Sequence, residues 1–442
     1  MSPPSPRHGS GTSRRDFLKS TCAVTVGLPA AASPAVGARE TLALFGGSPT
    51  VTYSARQHAE ASRWPLYGVE EEKAVLELLR NPSYAPIGAL ERDWKEYFKV
   101  PYVRAHCNGT SALAAMFFAL ALPPGSEILV PSYTFFATIV PMRLFGLVPV
   151  FVDINPRTLN FDVADARRRL TRNTKAMLPV HWLGLPCDMD AISDFAAKHG
   201  LIVLEDAAHA HGASFKGKLM GSWGRMAIFS YQMTKPLPAL EGGMGMYQRP
   251  DDYERATAFG HYDLPRSFPP GSAYRKYQGT GLGLKFRMHP VSAALARVQL
   301  RSLDQRNAAG AEQVRRLNDR LVQLPGLSEP LTRSEMKRIY YSSNMLFLDE
   351  AKAGVSRAAL VKALQAEGVR ARAHSYLLQH ECPLYQEEQW WHHKPHLPQL
   401  PGSEEANRTA VTLPYFTSAV PELVEQYAQA FEKVWAHRKE LK

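Results

Sequence analysis

The chain has 442 residues, 45% of them hydrophobic, and 52 Lys and Arg against 41 Asp and Glu give it a net charge of +11. That is ample for a large core and for more than one domain. The positive charge is dispersed, with no basic strip interleaved with aromatics, so it argues against a nucleic-acid reader and suits an anionic small molecule. Four cysteines (Cys22, Cys107, Cys187 and Cys382) stand far apart without a Cys-x-x-Cys pair, which excludes a disulfide framework and a zinc site of that type.

The first expected element is an address. Ser13-Arg14-Arg15-Asp16-Phe17-Leu18-Lys19 precedes an uncharged stretch from Ser20 to Ala38 that ends Ala35-Val36-Gly37-Ala38. Twin arginines, a modest apolar region and small residues at the end match a twin-arginine export signal over residues 1–38. The expected partner of this segment is the twin-arginine export machinery, and the expected location is periplasmic or otherwise exported. A non-functional signal would leave the protein in the cytoplasm. Elsewhere the most apolar stretch, Ile128 to Ile154, is broken by Pro131, Pro141, Arg143 and Pro149 and does not read as a membrane span.

Short apolar runs then alternate with helical patterns. Thr110–Leu122 reads as a buried helix, Glu127–Val130 as a strand, and Thr134–Phe145 as a helix stopped by Gly146. Val148–Val152 and Ala176–Val180 read as strands, and a helix capped by Asp190 ends at Gly200. Leu201–Leu204 and Met226–Phe229 are two further strands. This alternation predicts an α/β fold with a mostly parallel, helix-covered sheet. Leu300–Leu324 reads as one long polar helix leaving that sheet. A strand over Ile339–Leu348 and helices over Ser356–Glu367 and Pro421–His437 then make a smaller α+β unit. The expected boundaries are residues 39–310 for the large domain and 311–442 for the small one.

In parallel sheets, reactive groups gather beyond the carboxyl ends of the strands. Asn108-Gly109-Thr110, Pro131–Phe135, His181, Asp206 and Ser230 all fall at or just past such ends, so they are expected on one edge. Their chemistry suits pyridoxal phosphate (PLP). That cofactor needs a lysine for its aldehyde, a carboxylate for its pyridine nitrogen, donors for its phosphate and a flat apolar group against its ring. Lys235, in a loop with Pro236, Pro238 and Gly242-Gly243, is the candidate for an internal Schiff base and, once freed, for the general base. Asp206, in Glu205-Asp206-Ala207-Ala208-His209-Ala210-His211-Gly212, is the carboxylate. Gly109, Thr110 and Ser111 open a helix whose amides attract an anion. Ser230 could add a hydroxyl, and Phe135 is the stacking candidate. His209-Ala210-His211 is a poor metal pattern with no convergent acidic set, and no metal is expected.

These segments also stand in an order that resembles the DegT/StrS family of PLP-dependent sugar aminotransferases. The likeness runs from Ala43-Leu44-Phe45-Gly46-Gly47 to the C-terminus. It includes Trp64-Pro65, Asn108–Leu113, Val130–Phe135, Pro149–Ile154, Pro179-Val180-His181, Gly184–Asp190, Glu205–Gly212, Phe229–Gly243 and Phe286-Arg287-Met288. The resemblance implies the aspartate-aminotransferase fold (fold type I), a seven-stranded sheet, and a homodimer with shared active sites. It also implies Lys235 as the Schiff-base lysine, Asp206 at the pyridine nitrogen, His209 near the ring and Phe135 stacked on it, with Thr110, Ser111 and Ser230 on the phosphate. The family's Gly-x-Asn-Tyr-Arg-Met reads here Gly283-Leu284-Lys285-Phe286-Arg287-Met288, so Lys285 takes the place of an Asn that reaches the neighbouring subunit's phosphate. The implied reaction passes an amino group from an amino acid, glutamate or glutamine, to a keto-sugar or keto-cyclitol. A non-catalytic PLP-binding sensor and a PLP-dependent lyase or dehydratase remain open on the same scaffold. Retention of Lys235 argues against the family's dehydratase branch, which carries His there.

Overall fold

Seven strands form the central sheet of the computed structural model, which describes residues 40–441. The export signal expected over residues 1–38 lies outside the described residues. In chain order the strands are β1 (Tyr102–His106), β2 (Glu127–Pro131), β3 (Val148–Val152), β4 (Thr174–Met177), β5 (Ile202–Asp206), β6 (Met226–Ser230) and β7 (Gly243–Tyr247). Their spatial order is β1-β7-β6-β5-β4-β2-β3. β7 alone runs against its neighbours, pairing antiparallel with β1 and β6, and every other pair is parallel. The α/β reading and its mostly parallel sheet hold, with one reversed strand. The central strands are continuous apolar runs because both faces are covered.

On one face lies the helix α1 (Ala85–Phe98), whose Trp94 meets Phe229 and Tyr231 edge-on at 5.1 and 5.3 Å. On the other lies α2 (Gly109–Leu120), apolar all round and almost wholly buried, as a core helix must be. A second core, built on a four-stranded sheet, follows the long helix α3 (Leu303–Leu321). Its strands are β8 (Leu327–Ser328), β9 (Ser343–Leu348), β10 (Arg372–Ala373) and β11 (Ala410–Pro414), in the spatial order β8-β9-β11-β10. α4 (Pro421–Ala436) lays its apolar face against this core.

Several element boundaries differ from expectation, each for a local reason. Thr134–Phe145 is not one helix but two 3-10 turns, Phe136–Thr138 and Val140–Phe145, because Pro141 cannot continue an α-helix begun before it. The helix Met189–His199 is capped by Asp188 rather than Asp190: the Asp188 carboxylate accepts from the Ala191 amide at 3.2 Å. The expected helix over 300–324 breaks at Ser302, between Pro290–Arg301 and α3. The strand expected from Ile339 begins only at Ser343, because Ser342 is left-handed, with φ +65°. β7 was not legible as a strand, since Gly243-Met-Gly-Met-Tyr247 lacks β-branched residues.

Candidate active site

Parallel pairing puts the ends of β2, β5 and β6 on one edge, and β1 runs the same way through the reversed β7. A cavity of about 580 Å³ opens there. Of the expected residues, Lys235, Asp206, His209, Gly109, Thr110, Phe135 and Ser230 line it. Two others do not. The Ser111 hydroxyl turns to Asn108 Oδ1 (2.9 Å) and Cys107 Sγ (3.1 Å), serving the start of its own helix. Lys285 lies on a separate cavity of about 580 Å³ beside Cys107 and Arg287. Glu241 belongs to the walls of both cavities.

Alternation along β5 splits two adjacent acids. Asp206 faces the cavity, where its Oδ2 accepts from the Thr138 hydroxyl (2.8 Å) and its Oδ1 from the Ala208 amide (3.1 Å). Burial raises its pKa above the usual carboxylate value, against the lowering effect of Thr138, Ala208 and the Lys235 charge. Glu205 points the other way and accepts from the amides of Gly221 (2.7 Å), Trp223 (2.7 Å) and Gly224 (2.6 Å) and pairs with His181 Nε2 (3.0 Å). The Cys187 amide donates to His181 Nδ1 (3.1 Å), which puts the ring proton on Nε2. His181 is therefore a fully buried strut that clamps the strand end and is not part of the cavity wall.

His209 and His211 go separate ways. His209 meets Trp182 and stacks on Tyr341 at 4.3 Å with 28° between the rings. Burial and the Lys235 charge hold its pKa well below the ordinary value, so it is neutral. His211 sits among Trp94, Phe229 and Tyr231. Lys235 stands on a tightly braced loop. Its amide donates to Gln232 C=O (2.8 Å) and its C=O accepts from Trp64 Nε1 (3.2 Å). Its Nζ reaches Tyr341 Oη at 3.3 Å.

The walls fit a flat, phosphorylated pyridine. Asn108 Oδ1 takes the Ser111 amide (2.8 Å), so among the described residues the Gly109 and Thr110 amides are left facing the cavity as an anion cradle. No side chain fits close by: a Cβ on Gly109 would stand 3.0 Å from Ser230 Cβ, and one on Gly243 would stand 2.6 Å from the Asn108 carbonyl. Phe135, half exposed, offers an apolar face to the same space as Ala208. His209 Nδ1 is buried without a partner, ready for a ring substituent.

Reading the sequence missed Thr138, Trp182, Tyr341 and Tyr376, all in the cavity wall. Thr138 was within reach, three residues past Phe135 on the same turn. Tyr341 lies 106 positions from Lys235 and carried no local signal.

The model of the DegT/DnrJ/EryC1/StrS aminotransferase family matches residues 67–432. The spore coat polysaccharide biosynthesis protein SpsC of Bacillus subtilis is 33% identical over 344 residues, 75% of this chain and 87% of that protein. An aminotransferase from Psychrobacter cryohalolentis superposes with a TM-score of 0.77 at 25% identity, over 85% of this chain and 99% of its own. DesI, solved in the presence of its TDP-sugar product, superposes with a TM-score of 0.72 at 27% identity, over 90% and 97%.

Proposed function

Because the chain belongs to the DegT/DnrJ/EryC1/StrS aminotransferase family, a family of PLP-dependent sugar aminotransferases, we propose that it moves an amino group from glutamate or glutamine to the ketone of a sugar or cyclitol. The single observation that carries this is the meeting of Lys235, Asp206 and the α2 amides in one cavity. PLP, when bound, supplies an electron sink for the carbon that gains or loses the proton. The chain's own residues do the rest. Lys235 would anchor the aldehyde and, when free, would hold and move the proton at its Nζ. Asp206, buried and acceptor-only when ionised, would accept from the protonated ring nitrogen. Gly109, Thr110 and Ser230 would hold the phosphate, Phe135 and Ala208 would confine the ring, and the unpartnered His209 Nδ1 would be free to bond to it.

Rings of Trp182 and Tyr376 with the hydroxyls of Ser342 and Ser343 suit a polyol, which presents apolar ring faces and many hydroxyls. Lys285, set apart from this cavity, is assigned to the active site of a second subunit in a homodimer. Residues 1–38 export the folded, loaded enzyme by the twin-arginine route, so the acceptor is met outside the cytoplasm. Fractionation of the host checks this, and protein confined to the cytoplasm would refute it.

The direct test is Lys235→Ala. The variant loses the imine absorbance and all turnover, and retention of both in the purified variant would exclude the assignment. Half-reactions followed at the imine band, first with candidate amino acids and then with candidate keto-sugars, identify donor and acceptor. Ammonia released without amine transfer would mark a lyase instead.

A further inference from the structure

We propose that Tyr341 orients the free amine of Lys235 through a hydrogen-bond chain of fixed direction. The inference rests on the reading of Lys235 as the imine lysine. Thr234 Oγ1 gives its one proton to Gln232 Oε1 (2.7 Å). Towards Tyr341 Oη, 3.0 Å away, that hydroxyl can only accept, so the phenol proton points at Thr234. The phenol oxygen is thereby left as an acceptor, and Lys235 Nζ stands 3.3 Å from it. The chain runs from Lys235 to Tyr341 to Thr234 to Gln232. Among the described residues Tyr341 Oη is the only hydrogen-bond partner of Nζ.

Lys235 Nζ also lies 4.9 Å from the ring centroid of Tyr341, close to the hydroxyl end of the ring. Two further features hold the phenol in place. Its ring stacks on His209. Its backbone is set by a three-residue turn in which the Ser343 amide donates to Tyr341 C=O at 2.7 Å across left-handed Ser342, φ +65°. A non-glycine residue in that turn is rare and strained, and such outliers concentrate at functional sites. Tyr341, Ser342 and Thr234 also wall a second cavity, of about 480 Å³, lined by Trp64 and Arg306. The phenol is thus a partition with Lys235 on one side. It keeps the amine on the cofactor side and ties the lysine to the strand that begins at Ser343.

The test uses the full chain freed of cofactor by dialysis, and follows growth of the imine band after PLP is added, from pH 6 to 9. Tyr341→Phe keeps the ring and its stack on His209 and removes only the hydroxyl. Its rate should fall about fivefold, the scale of one lost neutral hydrogen bond, with the melting temperature unchanged. Thr234→Val, which leaves the phenol proton undirected, should fall less but in the same sense. A wild-type rate in either variant at every pH overturns the proposal. If the unaltered chain and Lys235→Ala form the same imine, the functional reading falls and this inference with it. If only the Tyr341 result fails, the functional reading stands.

Discussion

Asp206 sits where it costs the fold stability. Its carboxylate is buried with two donors, and burial outweighs them, so its pKa lies above the unfolded value of 3.8. The folded chain without cofactor therefore binds a proton more readily than the unfolded chain. Stability is lost as pH rises from about 3.8 through the folded pKa, and the penalty remains at neutral pH. Cofactor-free Asp206→Asn should accordingly melt higher than wild type at pH 7, with the difference closing as pH falls towards 3.5. Melting curves across that range check it, and a gap of constant size would contradict the argument. Asp206 and Lys235 were legible because each stands at a strand end in a distinctive local pattern. Tyr341 was not, because its role comes from a contact between distant segments.

At the scale of elements, the start of α2 and the start of β7 form one unit. β7 begins with Gly243, paired to His106 on one side and Ser230 on the other, and the helix start passes directly over it. A methyl group there would stand 2.6 Å from the carbonyl of Asn108 and 2.7 Å from the Gly109 amide nitrogen. Both are backbone atoms that cannot swing aside. Gly243→Ala should therefore cost about 1–3 kcal/mol, as for overpacking elsewhere, and should weaken PLP binding by displacing the Gly109 and Thr110 amides. Chemical denaturation and a cofactor titration read the two effects, and normal values for both would refute the close fit. The helix was legible from its apolar run. The strand was not, since Gly243 and Gly245 are there for want of space rather than from any strand preference, and methionine is no strand signal.

At the scale of the whole molecule, the buried histidines make stability depend on pH. His106 and His211 are held down to about 3, each chiefly by burial and then by a nearby cation, Arg104 and Lys235 respectively. His209 and His261 lie well below their ordinary value for the same leading reason. The unfolded chain takes up these protons near 6.5 and the folded chain does not, so the stability they confer is complete above 6.5 and is lost as pH falls towards 3. The denaturation midpoint should drop steadily between pH 6.5 and 4. His211→Phe should flatten that slope, because His211 sits among aromatic rings with neither ring nitrogen hydrogen-bonded to a side chain. An unchanged slope would show that His211 is not neutral in the fold.

Local sequence specified the α/β class, the edge of the sheet where the candidate site lies and most of the residues that line its cavity, because strand ends, glycine turns and a buried helix start are local features with local physical causes. Tertiary structure decided what no single segment could. It made His181 a strut, turned Ser111 into its own helix, set Lys285 on another cavity, reversed β7 and brought Tyr341 to Lys235. Each of these depends on which distant atoms share a space, and spacing along the chain does not encode that.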